Sequence, residues 1–160
     1  MTNGKTARIR NSVVIILLIL GILLSVLSMA ADYFGLDKTP GFGMIQMFEL
    51  LVGITCLTIA GFTYLRSLGA RMTRSLQADI GGRLAATGLV FSYVTGLADL
   101  MGIGTHPHPD YERPFVGWLQ LGGLTLGILS ILVGLLLYYT SRRIRPSSSM
   151  EFIANGNGKT

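Results

Sequence analysis

Glu49 is the residue of this chain whose type and setting most invite chemistry. It lies inside an apolar block running from about 43 to 65. A charged carboxylate in a bilayer is expensive, so it must face protein, find a partner or stay neutral. Gln46 stands one helical turn before it, Asp32 and Asp99 each close another apolar block, and Gln120 opens a fourth. Asp32, Gln46, Glu49, Asp99 and Gln120 are the candidate polar network. Two kinds of work suit it. The carboxylates could mark the mouth of a pathway for a cation or proton. Alternatively each Asp, placed at a helix C-terminus where the macrodipole disfavours it, could accept the free N–H groups opening the next helix around Gly41–Gly43 or Phe115–Gly117. Gln46 and Gln120 would extend that clamp. The recurrence of Asp and Gln in both halves suits the clamp, whereas Glu49, whose counterpart is Gly123, is not demanded by any repeated architecture.

His106, His108 and Asp110, in the run His106-Pro107-His108-Pro109-Asp110, form a second constellation. Alternate histidines held extended by proline could put two rings on one face, which suits Zn²⁺ or Cu²⁺. No Cys joins them, and a full ligand set would need Asp99 or Glu112 to fold back, so a metal-free outer loop is the favoured expectation. With only these two histidines, haem ligation across facing helices has no support, and no cofactor is expected. The chain has no phosphate-cradling Gly loop, HExxH, Ser-x-x-Lys or G-x-S-x-G. Its cytoplasmic loops carry no polar cluster of the kind a membrane hydrolase or transferase needs. No enzyme activity is expected.

The elements that must position these residues announce themselves as a repeat. Residues 13–36 align without a gap on 80–103, pairing Gly21 with Gly88, Ser25 with Ser92, Ala31 with Ala98 and Asp32 with Asp99. After a loop about seven residues longer in the second copy, Pro40 pairs with Pro114, Gly43 with Gly117, Gln46 with Gln120, Gly53 with Gly127 and Tyr64 with Tyr138. Apolar composition alone does not place an Asp, a Pro and a Gln in the same order. Repeat one covers about 12–67 and repeat two about 80–141.

Half the residues are hydrophobic and 13% are charged. Four blocks, near 12–31, 43–65, 83–103 and 115–140, approach or exceed the roughly 20 residues a helix needs to cross a bilayer. Backbone polar groups must be satisfied internally there, so the blocks are helices. The expected fold is an all-α integral membrane protein: one domain over 1–160 with four transmembrane helices, an up-down-up-down bundle made by tandem duplication of a helical hairpin. Thr39-Pro40 would cap the second helix. Leu68, Met72 and Leu76, with Arg71 and Arg74, could form a short interfacial helix. The tail from about 146 to 160 has a disordered composition.

The net charge of +5 is a topology signal rather than a nucleic-acid footprint. Arg and Lys cluster before the first block, between the second and third, and after the fourth, while the other two loops are acidic. That pattern places both termini in the cytoplasm of a multi-pass protein of the plasma or inner membrane. Cys56 is alone, which excludes thiol-redox four-helix enzymes. The stretch Ser28-Met29-Ala30 resembles a signal-peptidase site, but the repeat runs straight through it, and a retained helix is expected.

Among the 21 glycines, several fall at small-xxx-small spacing, such as Gly21–Ser25, Ser92–Gly96 and Gly123–Gly127. Small residues let membrane helices approach closely, since lipid is as apolar as leucine and burial alone contributes little. The expected function is therefore a non-catalytic accessory or structural subunit packing against other membrane helices or a further copy. The alternative is a small transporter or channel-like protein using Glu49 and the outer Asp/Gln pairs. The partners are the lipid bilayer and membrane proteins, not nucleic acid.

Overall fold

The computed structural model describes residues 3–31, 43–68, 75–98, 100–101 and 117–141. Among them it is all-helical: α1 (Asn3–Ala30), α2 (Met44–Leu68), α3 (Leu76–Gly96) and α4 (Trp118–Thr140). Three are long and apolar enough to cross a membrane, namely α1 from Lys5, α2 and α4. The expectation of four such spans is met in three. α3 carries Asp79 and Arg83 and much of its length is Gly, Ala, Ser and Thr, so composition alone does not mark it as a span.

The ends of α3 also differ from those expected. It starts at Leu76, ahead of the apolar block expected from about 83, because Ser75 caps it: the Ala78 N–H donates to Ser75 Oγ at 3.2 Å and Asp79 sits in the first turn. It stops at Gly96, before the apolar block ends. Capping decided the boundary where hydropathy could not. Leu68 ends α2 and Leu76 opens α3, while Arg71, Met72 and Arg74, expected with them in a short interfacial helix, lie outside the described residues.

The helices associate as two close pairs. In the first, Gly21 lies against Gly53 and Leu57, and Gly53 faces Ser25. A methyl carbon built on Gly53 would sit 3.0 Å from the carbonyl oxygen of Gly21. In the second, Gly81 meets Gly134, Gly88 meets Gly127 and Ser130, and Gly127 faces Ser92. Backbones approach so closely that no side chain fits between them, which replaces hydrophobic burial by dispersion contact. The pairs join through α2, where Met47 and Leu51 pack on Gly96 and form an apolar cluster with Leu50, Ile54, Leu124 and Ile131. Thr55 Oγ1 and the Tyr93 hydroxyl share a hydrogen bond of 2.9 Å, and Phe62 meets Tyr138 edge-on with centroids 5.5 Å apart. The bundle is open on one side: α1 packs on α2 but on neither α3 nor α4.

Candidate functional site

Gln46 and Gln120 occupy matching places at the openings of α2 and α4, and both are buried. The Gly43 N–H donates to Gln46 Oε1 at 2.6 Å, and the Gly117 N–H donates to Gln120 Oε1 at 2.8 Å. Each glutamine folds back as the third residue of its helix to satisfy the N–H of the residue before it. This is one half of a capping box, the other half being impossible because glycine has no side chain to reciprocate. The glutamines thus meet the N–H groups of Gly43 and Gly117, while the aspartates expected to do so, Asp32 and Asp99, lie outside the described residues. The signal for this cap is the Gly-x-x-Gln spacing present in both copies.

Ser28 completes the first of these openings. It is fully buried, and its hydroxyl donates to the Gln46 carbonyl at 2.6 Å, tying the end of α1 to the start of α2. The matching residue of the second pair, Thr95, instead donates to its own helix at Phe91 (2.8 Å) and presses its methyl group into the gap left by Gly123. The two openings share the glutamine cap but not the cross-helix bond. Gln120 Nε2 is buried without a hydrogen-bond partner among the described residues, and so is Ser25 Oγ beside Gly53.

Glu49 is half-buried on α2, one turn from both Gln46 and Gly53. It makes no hydrogen bond or ion pair among the described residues. Gly123, its counterpart in the second copy, is packed against Thr95. Of the five residues of the candidate network, the structure brings Gln46 and Glu49 onto one end of α2 and Gln120 to the opening of α4. Asp32 and Asp99 lie outside the described residues, as do His106, His108 and Asp110, Thr39-Pro40 and the tail. Among the described residues no three His, Cys, Asp or Glu side chains gather as metal ligands. Cys56 is a half-buried free thiol.

Deeper in the helices three hydroxyls turn onto their own backbones. Thr55 donates to Leu51 (2.8 Å), Thr58 to Ile54 (2.7 Å) and Ser92 to Gly88 (2.9 Å). Such bonds to the carbonyl four residues back satisfy the hydroxyl locally and leave little to offer a solute. Comparison with known proteins finds no matching family, no similar curated protein and no similar solved structure.

Proposed function

We propose that the chain is a non-catalytic multi-pass protein of the plasma or inner membrane, an accessory or structural subunit. In this proposal α3 crosses with the other three helices in up-down-up-down order, and both termini lie in the cytoplasm. The order of contacts supports the alternation: along α3 from Gly81 to Gly88, the partners on α4 run back from Gly134 to Gly127. A tandem duplication is supported by equivalent positions doing equivalent work, Ser25 and Ser92 on Gly53 and Gly127, and Gln46 and Gln120 on Gly43 and Gly117.

The observation that carries the subunit proposal is the turn of Thr55, Thr58 and Ser92 onto their own backbones beside glycine seams closed to side chains. Substrate pathways show polar groups or broken helices near the midplane. Here the described helices are unbroken across the spans. Native mass spectrometry after mild extraction from the protein's own membrane tests the proposal. Another membrane chain, or further copies, at fixed stoichiometry are expected; a monomer that conducts ions in proteoliposomes would overturn it.

One observation favours the transporter alternative, the half-buried Glu49 carboxyl with no partner among the described residues. In that alternative Glu49→Gln abolishes proton or cation flux while leaving the fold intact. Absence of flux in the parent protein removes the alternative.

A further inference from the structure

A cleft of about 870 Å³ opens at the end of the bundle that carries the α2–α3 connection. Arg10 of α1, Arg66 of α2 and Arg83 of α3 all line it, although they lie far apart in sequence. Arg83 pairs with Asp79, one turn before it on α3, at 3.0 Å. Neither Arg10 nor Arg66 has a carboxylate within ion-pair reach among the described residues, so the cleft holds a net positive charge. Phe62 and Tyr138, in edge-on contact, line it as well and give it an apolar part. Gly82 leaves room: a methyl carbon built there meets no atom within 4 Å.

Positive charge at this end is what topology requires of the sequence, but topology asks only that basic residues lie on one side. It does not ask three helices to turn their arginines into one cleft. Guanidinium groups bind phosphate oxygens through paired N–H donors, better than a point charge does. The neighbouring helices are apolar. On α1, Val13 and Ile16 lie within two turns of Arg10, on α4 Val133 and Leu136 lie within two turns of Tyr138, and all four are exposed. The α1 backbone makes no close approach to α3 or α4 among the described residues. A charged cleft at the end of apolar, unjoined helices matches a ligand with a phosphate head and hydrocarbon tails.

We propose that this cleft binds the headgroup of an anionic phospholipid, with the phosphate held by Arg10 and Arg66 and assisted by Arg83, and the acyl chains lying along α1 and α4. The lipid would fill the opening that α1 leaves beside α3 and α4.

The test uses the full chain in mild detergent with phosphatidylglycerol and phosphatidylcholine of matched acyl chains, read by native mass spectrometry of retained lipid. Selective retention of phosphatidylglycerol is expected. Each basic residue near an anionic headgroup contributes about fivefold, so Arg10→Gln with Arg66→Gln should reduce that retention by about 25-fold. Gly82→Leu keeps every charge and should also reduce it, by filling the cleft. Lys5→Gln with Arg8→Gln removes equal charge from α1 outside the cleft lining and should leave the preference intact. The arginines and Gly82 are exposed or face open space, and an unchanged elution profile in size exclusion confirms that each variant is folded. The proposal is overturned by equal retention of the two lipids, or by an effect of the Lys5/Arg8 pair as large as that of the Arg10/Arg66 pair. Displacement of the lipid by millimolar inorganic phosphate would mark a site for free phosphate and would overturn the lipid assignment too.

Discussion

Replacing Gly88 by alanine puts a methyl carbon 2.7 Å from the Gly127 carbonyl oxygen, 2.8 Å from Ser130 Cβ and 2.9 Å from the Ile131 nitrogen. Two of these neighbours are backbone and cannot swing aside. Carbon and oxygen settle at about 3.3–3.6 Å, so α3 and α4 must separate locally by roughly 0.6–0.9 Å. A radial gap of 0.5–1 Å already forfeits about a quarter to a half of a dispersion well. That loss spreads over a seam that also includes Gly81–Gly134 and Thr95–Gly123. Overpacking of this kind costs about 1–3 kcal/mol, offset in part by roughly 1 kcal/mol of better helix propensity. Gly82→Ala, six residues away on the same helix, gains the propensity term and meets nothing within 4 Å. The two variants should therefore differ by about 1–3 kcal/mol, with Gly88→Ala the less stable. SDS titration from mild detergent, followed by fluorescence of the single Trp118 at the head of α4, gives both values under one condition. A Gly88→Ala protein as stable as Gly82→Ala would refute the close-approach account of the α3–α4 seam.

Three further outcomes are expected. Gln46→Leu should cost about 1 kcal/mol through loss of the Gly43 cap. Gln120→Leu should cost less, because it also removes a buried amide nitrogen with no partner among the described residues; the same titration ranks them, and the reverse order would contradict the two-cap account. A double-mutant cycle of Thr55→Val and Tyr93→Phe should give a coupling of about 0.6 kcal/mol, the usual scale for a hydrogen bond between membrane helices. Zero coupling would mean that the two hairpins are not joined at that point. Glu49→Gln should leave expression and unfolding midpoint unchanged, measured beside the parent in the same detergent; loss of the folded protein would make Glu49 a structural residue.

Much of the fold was legible because apolar length is a strong signal: α1, α2 and α4 stand out as blocks. The small residues that build the seams were legible as spacing. Their partners were not, since the facing of Gly53 on Ser25 depends on the register between helices distant in sequence. α3 was misplaced by several residues at each end because hydropathy averages over a window, whereas its start depends on one hydroxyl at Ser75. At the candidate site, polarity marks the glutamines in the sequence, but their capping role depends on where each helix begins. The arginine cleft was invisible for a plainer reason. Arg10, Arg66 and Arg83 are scattered along the chain, and only the meeting of three helices makes them neighbours.

The close α3–α4 seam has a consequence for biosynthesis. A helix bearing Asp79 and Arg83 and so many small residues has little tendency of its own to leave water for lipid. In the proposed four-span arrangement, its affinity for the bilayer would come largely from α4, which offers the glycine backbone it fits. α4 is complete only after a further stretch of chain has been made, and at about 5–20 residues per second that is a delay of some 2–9 s. If α3 crosses as proposed, it would wait during that interval at the insertion machinery or at the membrane surface. Entry into the bilayer would then be a joint act of two helices, and damage to Gly127 or Gly134 in the second would strand the first.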